Sequence, residues 1–199
     1  MSVPHSRLPT ALTDRAAADL AYIRKTMANA ASFTALSGVG FVVVGLGALA
    51  TGLAAQALFP PGARLAPWLV DAVVSVAIGL AFTSRKARDA GQSLFSGPFR
   101  RFLLGFAPAV VTGAVLTLMF LRAGNLRDLP ALWLLCYGTG LISGGAFSVR
   151  IIPAMGASFM LAGVLAAIVA PVYGDWVMML GFGGLHLVYG AEIARRHGG

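Results

Sequence analysis

The stretch Gly181-Phe-Gly-Gly-Leu-His186-Leu-Val-Tyr-Gly190-Ala-Glu192-Ile-Ala-Arg195-Arg196 decides what kind of fold this chain adopts. It is an apolar run with a histidine near its middle, a glutamate about two turns later and a basic end. Basic residues that close an apolar run are typical of the end of a transmembrane helix. Five other apolar runs resemble it in size, and none of them contains a histidine. We therefore expect a set of similar membrane helices, of which this one is chemically distinct.

The composition excludes an ordinary soluble domain. Of the 199 residues, 58% are hydrophobic and 11% are charged, and the mean hydropathy is +0.82. The apolar runs are long enough to cross a hydrocarbon core about 30 Å thick. Because the backbone must satisfy its own hydrogen bonds in lipid, and because the runs lack the alternation of barrel strands, they are helices. The sequence predicts an all-α, polytopic transmembrane bundle embedded in the lipid bilayer.

Six spans, arranged as three hairpins, and an N-terminal leader are predicted. The spans are Phe33–Phe59, Leu65–Ser84, Phe102–Leu121, Pro130–Val149, Ile152–Val172 and Trp176–Ala194. In the leader, apolar residues recur at helical spacing, namely Leu12, Ala16, Leu20, Ile23 and Met27. We expect a cytoplasmic leader at 1–31 whose amphipathic helix lies on the membrane surface, a transmembrane domain at 32–196 and a cytoplasmic tail at 197–199. The alternative is a solvated leader helix that packs on its own loops.

Lysine and arginine are distributed unevenly between the two sides of these spans. Twelve lie in the leader, in the loop after span 2, at Arg150 or at the C-terminus, and three lie on the opposite side. Because basic loops stay in the cytoplasm, both termini are predicted to be cytoplasmic. The net charge of +8 therefore reflects topology signals, and we expect no nucleic-acid partner.

Weak internal repeats support the three hairpins. A shift of 45 residues places Tyr137 on Phe182 and Gly138 on Gly183. A shift of 118 residues places three residues of span 1 on three of span 5, namely Gly38, Phe41 and Gly45 on Gly156, Phe159 and Gly163. Gly140 and Gly144 form a G-x-x-x-G pattern, which allows helices to approach closely. The pattern predicts packing within the bundle or, alternatively, a seam between copies in a homo-oligomer.

Ionisable residues within spans are candidates for a ligand site or an ion pathway, because each is costly to insert. Glu192 is expected to form an ion pair with Arg195 or Arg196, at helical spacing on the same face. Asp71 lies near the outer end of span 2, and we expect it to pair with an arginine of the outer rim, namely Arg64, Arg122 or Arg127.

His186 is the third ionisable candidate, and no neighbour in sequence can satisfy it. We favour a sealed, neutral imidazole among glycine and aliphatic side chains, with one hydrogen bond to another helix. The alternative is an imidazole that faces water or Ser143 and moves protons.

Ser143 and His186 are weak catalytic candidates. Rhomboid proteases place a serine in a G-x-S-G motif on the fourth helix and a histidine on the sixth, and this chain has Ser143 and His186 on those spans. Leu141, however, replaces the first glycine of the motif, and span 2 has no histidine or asparagine for an oxyanion hole. We therefore predict no catalytic residue.

No cofactor is predicted. A haem held by two histidines needs both within the membrane, and His5 and His197 lie outside the spans. Cys136 is the only cysteine, so a metal site has too few ligands.

Four segments of the chain are informative together, namely 20–27, 91–101, 143–150 and 181–196. They resemble a family of small bacterial membrane proteins with six spans and no known activity. The resemblance covers nearly the whole chain. It implies a six-span architecture and location in the bacterial inner membrane, and it carries no activity or site.

Three functions are compatible with these observations. A non-enzymatic binding, regulatory or assembly component is predicted first, because few polar groups are positioned to converge. Its cytoplasmic partner would dock on the leader helix or on the 85–101 loop. A small-molecule or proton-coupled transporter is the second function, and a rhomboid-like intramembrane protease is the third.

Overall fold

A computed structural model describes residues 14–23, 36–89, 91, 97–146, 148–169 and 173–197. Contacts divide the chain into two units, Met1–Ser32 and Phe33–Gly199. In the first unit, residues 14–23 form a helix, α1. Leu20 and Ile23 of its predicted apolar face are exposed, whereas Leu12 and Met27 lie outside the described residues.

The second unit is all-α, which confirms the predicted fold class. Its helices are α2 (Gly38–Leu58), α3 (Leu65–Asp89), α4 (Gly97–Arg122), α5 (Leu129–Gly145), α6 (Ile151–Ile168), α7 (Gly174–Met179) and α8 (His186–His197). A π-helical segment, Leu180–Leu185, joins α7 to α8. These three elements form the last helix of the chain.

Several of these helices are suited to cross a membrane. Among the described residues, five stretches are long and apolar enough, namely Gly38–Leu58, Pro61–Asp89, Gly97–Arg122, Ile151–Ile168 and Gly174–Arg196. The remaining predicted span, the fourth, corresponds to α5, which has 17 residues and is shorter than the others. At 1.5 Å per residue it is about 25 Å long, at the lower end of the range for a spanning helix.

The last helix lies between the two halves of the bundle. It packs against α2 on one side and against α5 and α6 on the other. α3 packs on α2 at one edge of the bundle, and α4 packs on α5 at the other. Each predicted hairpin therefore has contact between its two arms. Because α3 and α4 each have one main neighbour, most of their apolar surface remains exposed.

Close approaches at glycine bring neighbouring helices together in each half of the bundle. A Cβ added to Gly156 of α6 would lie 2.7 Å from the carbonyl oxygen of Gly138 in α5. In the other half, a Cβ on Gly45 of α2 would lie 2.8 Å from the carbonyl oxygen of Gly183. Gly45 and Gly156 therefore make similar close approaches to a neighbouring helix. The predicted match of Gly38, Phe41 and Gly45 with Gly156, Phe159 and Gly163 stays a prediction.

The G-x-x-x-G pair packs within the chain. A Cβ on Gly140 would lie 2.9 Å from the Phe106 ring, and one on Gly144 would lie 2.7 Å from the carbonyl oxygen of Phe102. Both neighbours belong to α4, which therefore covers the two glycines. Packing within the bundle was one of the two predicted roles, and a seam between copies would need a different surface.

The loop predicted at 85–101 is too long. α3 continues to Asp89, and α4 already begins at Gly97. The prediction ended each span at its basic residues. Lys86 and Arg88 are favourable at the C-terminus of α3. The long side chains of Arg100 and Arg101 allow α4 to begin outside the hydrocarbon core. The basic side chains of this region therefore stand mainly on helix ends.

Candidate functional site

His186 begins α8 and lies where the two halves of the bundle meet. It is 2% exposed. Phe41 of α2 and Phe159 of α6 approach the imidazole with ring-centroid distances of 5.6 and 5.3 Å. Phe182 of the π-helical segment stacks on it at 6.2 Å. The histidine is thus enclosed by aromatic rings, whereas the sequence suggested glycine and aliphatic neighbours.

Both ring nitrogens of His186 have hydrogen-bond partners. Nδ1 lies 2.7 Å from the carbonyl oxygen of Phe182, and Nε2 lies 2.8 Å from the hydroxyl of Tyr137. A carbonyl oxygen can only accept, so Nδ1 carries the proton and donates. In a neutral imidazole Nε2 then accepts from the Tyr137 hydroxyl. The bond to Tyr137 joins α8 to α5, and the bond to Phe182 stays within the last helix.

The π-helical segment explains why a backbone carbonyl is available to the imidazole. The backbone N–H of His186 donates to the carbonyl of Gly183, and the side chain bonds the carbonyl of Phe182, four residues before it. Irregular helix of this kind is frequent at functional sites. The run of glycines at 181, 183 and 184 was the available sequence signal, because glycine lowers the stability of a regular helix.

Tyr137 is the residue that the sequence analysis missed. Its ring contacts Phe106, Phe159 and Phe182, with centroid distances of 5.6, 4.8 and 5.3 Å. The repeat that aligned Tyr137 with Phe182 was a usable signal, since the two rings meet beside His186. The alignment alone did not show that the two aligned residues, Tyr137 and Phe182, are in contact in the folded chain.

The structure does not bring Ser143 and His186 together. Ser143 is exposed, and the hydrogen bonds of His186 go to Tyr137 and Phe182. Ser143 lies six residues after Tyr137 on α5, which is about 9 Å along the helix and about 120° around it. The face of α5 that carries Tyr137 towards His186 therefore turns Ser143 away.

Asp71 does not pair with Arg64, one of the three arginines of the outer rim that were expected to reach it. Its carboxylate accepts a hydrogen bond from Thr51 of α2, at 3.2 Å. Arg64 instead donates to Asp175 at the start of the last helix, at 2.9 Å. The carboxylate of Asp71 points towards α2 and lies over Gly47, which leaves room for it. The rotation of α3 about its own axis therefore decides the partner of Asp71, and its closeness to Arg64 in sequence does not.

Glu192 lies at the opposite end of the last helix. It forms an ion pair with Arg196, one turn later. This is one of the two pairs that the sequence spacing predicts, and it leaves Glu192 away from His186 by more than one helical turn.

Two cavities lie at the other end of the bundle, and His186 lines neither. One, of about 440 Å³, lies between Asn125–Asp128 and the end of α6. The other, of about 40 Å³, lies among α3, α5 and α7. Among the described residues, the arrangement around His186 supports packing and hydrogen bonding between helices.

Comparison of the chain with protein-family models, curated proteins and solved structures gave no match. The function is therefore inferred from the residues and their geometry.

Proposed function

We propose that the chain is a non-enzymatic binding, regulatory or assembly component of the bacterial inner membrane. The sealed environment of His186 carries this proposal. Its two ring nitrogens are used within the bundle, and aromatic rings enclose it. An imidazole in a catalytic or transport cycle needs both a reacting partner and a route for protons. A histidine that links helices needs neither, so a structural role agrees best with the geometry.

The surface for a cytoplasmic partner is the basic end of the bundle. Eight basic residues lie at this end, namely Arg85, Lys86, Arg88, Arg100, Arg101, Arg150, Arg195 and Arg196. The opposite end carries three, one of which, Arg64, is paired with Asp175. This asymmetry supports cytoplasmic termini. We call Arg85, Arg88 and Arg100, which are all exposed, the basic surface.

Neutralising the basic surface is expected to abolish function. The triple variant Arg85→Gln, Arg88→Gln, Arg100→Gln removes charges that attract an acidic partner, while the sealed core stays intact. The measurement is growth and transcript profile in a strain that lacks the gene, complemented with each variant. The matched control is Arg122→Gln, Arg127→Gln at the other end, where both side chains are exposed. The control and Ser143→Ala should both complement fully.

Orientation must be checked in the same strains, because basic residues also set topology. In a Cys136→Ala background, Gly62→Cys should react with an impermeant thiol reagent in intact cells, and Asp89→Cys only after permeabilisation. Full complementation by the triple variant with its topology unchanged would contradict the docking role. Loss of function in Ser143→Ala would favour hydrolysis instead.

A further inference from the structure

The small cavity at the end of the bundle opposite the basic surface has the composition of a binding site. Its volume is about 40 Å³. Two tryptophans line it, Trp68 from α3 and Trp133 from α5, together with Met178 from α7. Arg64 and Asp175 stand at its edge and are paired at 2.9 Å. Three separate elements therefore meet here with aromatic, cationic and anionic groups.

The aromatic walls are held in place. The indole Nε1–H of Trp133 donates to Thr117 of α4, at 2.7 Å. Trp68 is 5% exposed and belongs to a buried cluster with Met178 and Met179. Indole rings attract cations through their electron-rich faces, most strongly where water is excluded. The cavity therefore favours a small cation over a neutral group of the same size.

The ion pair at the edge has capacity for further hydrogen bonds. The side chains of Arg64 and Asp175 are 21% and 28% exposed. Arg64 uses Nη1 for Asp175 and Nε for the carbonyl of Phe59, at 3.3 Å. A guanidinium has five N–H donors, and a carboxylate accepts several hydrogen bonds. Asp175 can thus bind the ammonium of a ligand while Arg64 binds its anionic group, so that each charge lies next to one of opposite sign.

The size and depth of the cavity limit the ligand. A cavity of about 40 Å³ exceeds the ~10–15 Å³ that a cavity needs to hold one water, so an ammonium head fits and the larger phosphate stays at the edge. Tyr173 and Trp176 are exposed and lie on either side of Asp175 in the sequence, and such residues are typical of the headgroup level of a bilayer.

We infer that this cavity binds the ammonium end of a small zwitterion such as phosphoethanolamine. The ammonium lies against Trp68 and Trp133 and bonds Asp175, while the anionic group bonds Arg64. The ligand is the headgroup of a membrane lipid or the same group in a soluble molecule. The inference rests on the proposed function in one respect: the proposed orientation, with cytoplasmic termini, decides which side of the membrane the cavity faces.

The test uses the full chain in nanodiscs of phosphatidylglycerol, which has no ammonium. The chain has three tryptophans, so a Trp176→Phe background leaves Trp68 and Trp133 as the only ones that fluoresce. We expect O-phosphoethanolamine to change their fluorescence saturably and glycerol phosphate to have no effect. Asp175→Asn should weaken binding about tenfold, as expected for the loss of a charged partner. Asp128→Asn, an exposed carboxylate outside this cavity, is the matched control and should bind normally.

A second arm distinguishes the source of the ligand. In nanodiscs that also contain phosphatidylethanolamine, native mass spectrometry should show this lipid retained in preference to phosphatidylglycerol if the lipid is the ligand. Arg64→Gln, which keeps the carboxylate, provides a second variant if Asp175→Asn does not fold, and it too should weaken binding. Binding in either arm supports the inference.

The inference is overturned if neither ligand binds, or if binding is equal in wild type and both variants. Nanodiscs are open on both sides, so the result does not depend on orientation. Its failure would therefore leave the docking role of the basic surface untouched.

Discussion

Gly156→Leu is expected to prevent the protein from folding in the membrane. A Cβ at this position would lie 2.7 Å from the carbonyl oxygen of Gly138 and 2.9 Å from the backbone nitrogen of Ile142. Both are backbone atoms, so α5 and α6 must separate before any side chain fits. Overpacking in a core usually costs about 1–3 kcal/mol, and a clash with helix backbone should exceed that range.

The matched control for this variant is Gly79→Leu. Gly79 is also a helical glycine, but a Cβ there would meet nothing within 4 Å. We expect the control to accumulate and melt like wild type, because the new side chain enters open space on α3. The measurement is the amount of membrane-inserted protein and its melting temperature in detergent. Normal folding of Gly156→Leu would show that α5 and α6 do not approach as described.

Removing the Tyr137–His186 hydrogen bond is the second large effect that we expect. Hydrogen bonds between membrane helices contribute about 0.6 kcal/mol on average and up to about 1.7 kcal/mol. Tyr137→Phe deletes only the hydroxyl and should cost an amount in that range. His186→Phe also leaves the carbonyl of Phe182 without the imidazole and should cost more, about 2 kcal/mol.

A double-mutant cycle separates the energy of the Tyr137–His186 hydrogen bond from the other contributions of the two side chains to stability. Unfolding free energies of wild type, both single variants and the double variant are measured in mixed micelles. Since the two side chains share one bond, the double variant should be more stable than the sum of the single losses predicts. Additive losses would mean that Tyr137 and His186 act independently. Ser143→Ala provides the control, and it should be neutral on its own and additive with His186→Phe.

The fold class could be predicted from the sequence, because partition into lipid depends on hydropathy and length, which are local properties. The ion pair of Glu192 with Arg196 was predictable for the same reason, since it lies within one helix. Span ends were less certain. Basic residues at the end of α3 continue the helix to Asp89, so the first charge did not mark its end.

Contacts between helices could not be predicted from hydropathy, because lipid-facing and core-facing residues in a membrane are equally apolar. The partner of His186 was therefore not found, although Tyr137 lies at a similar depth. Asp71 shows the same difficulty, since its hydrogen bond to Thr51 depends on how α2 and α3 are rotated. Glycines carried the usable signal, but a single chain with 25 of them gives several equally good alignments.

The most direct test of the account is the state of the His186 imidazole in lipid. Solid-state nitrogen NMR on histidine-labelled protein in bilayers distinguishes a protonated ring nitrogen from an unprotonated one. His5 and His197, outside the predicted spans, serve as internal controls, and His186→Gln assigns the signals. The account predicts a single form for His186, with Nδ1 protonated, Nε2 accepting from Tyr137, and no proton exchange with water. Exchange between the two neutral forms, or a water contact at Nε2, would contradict it and favour transport.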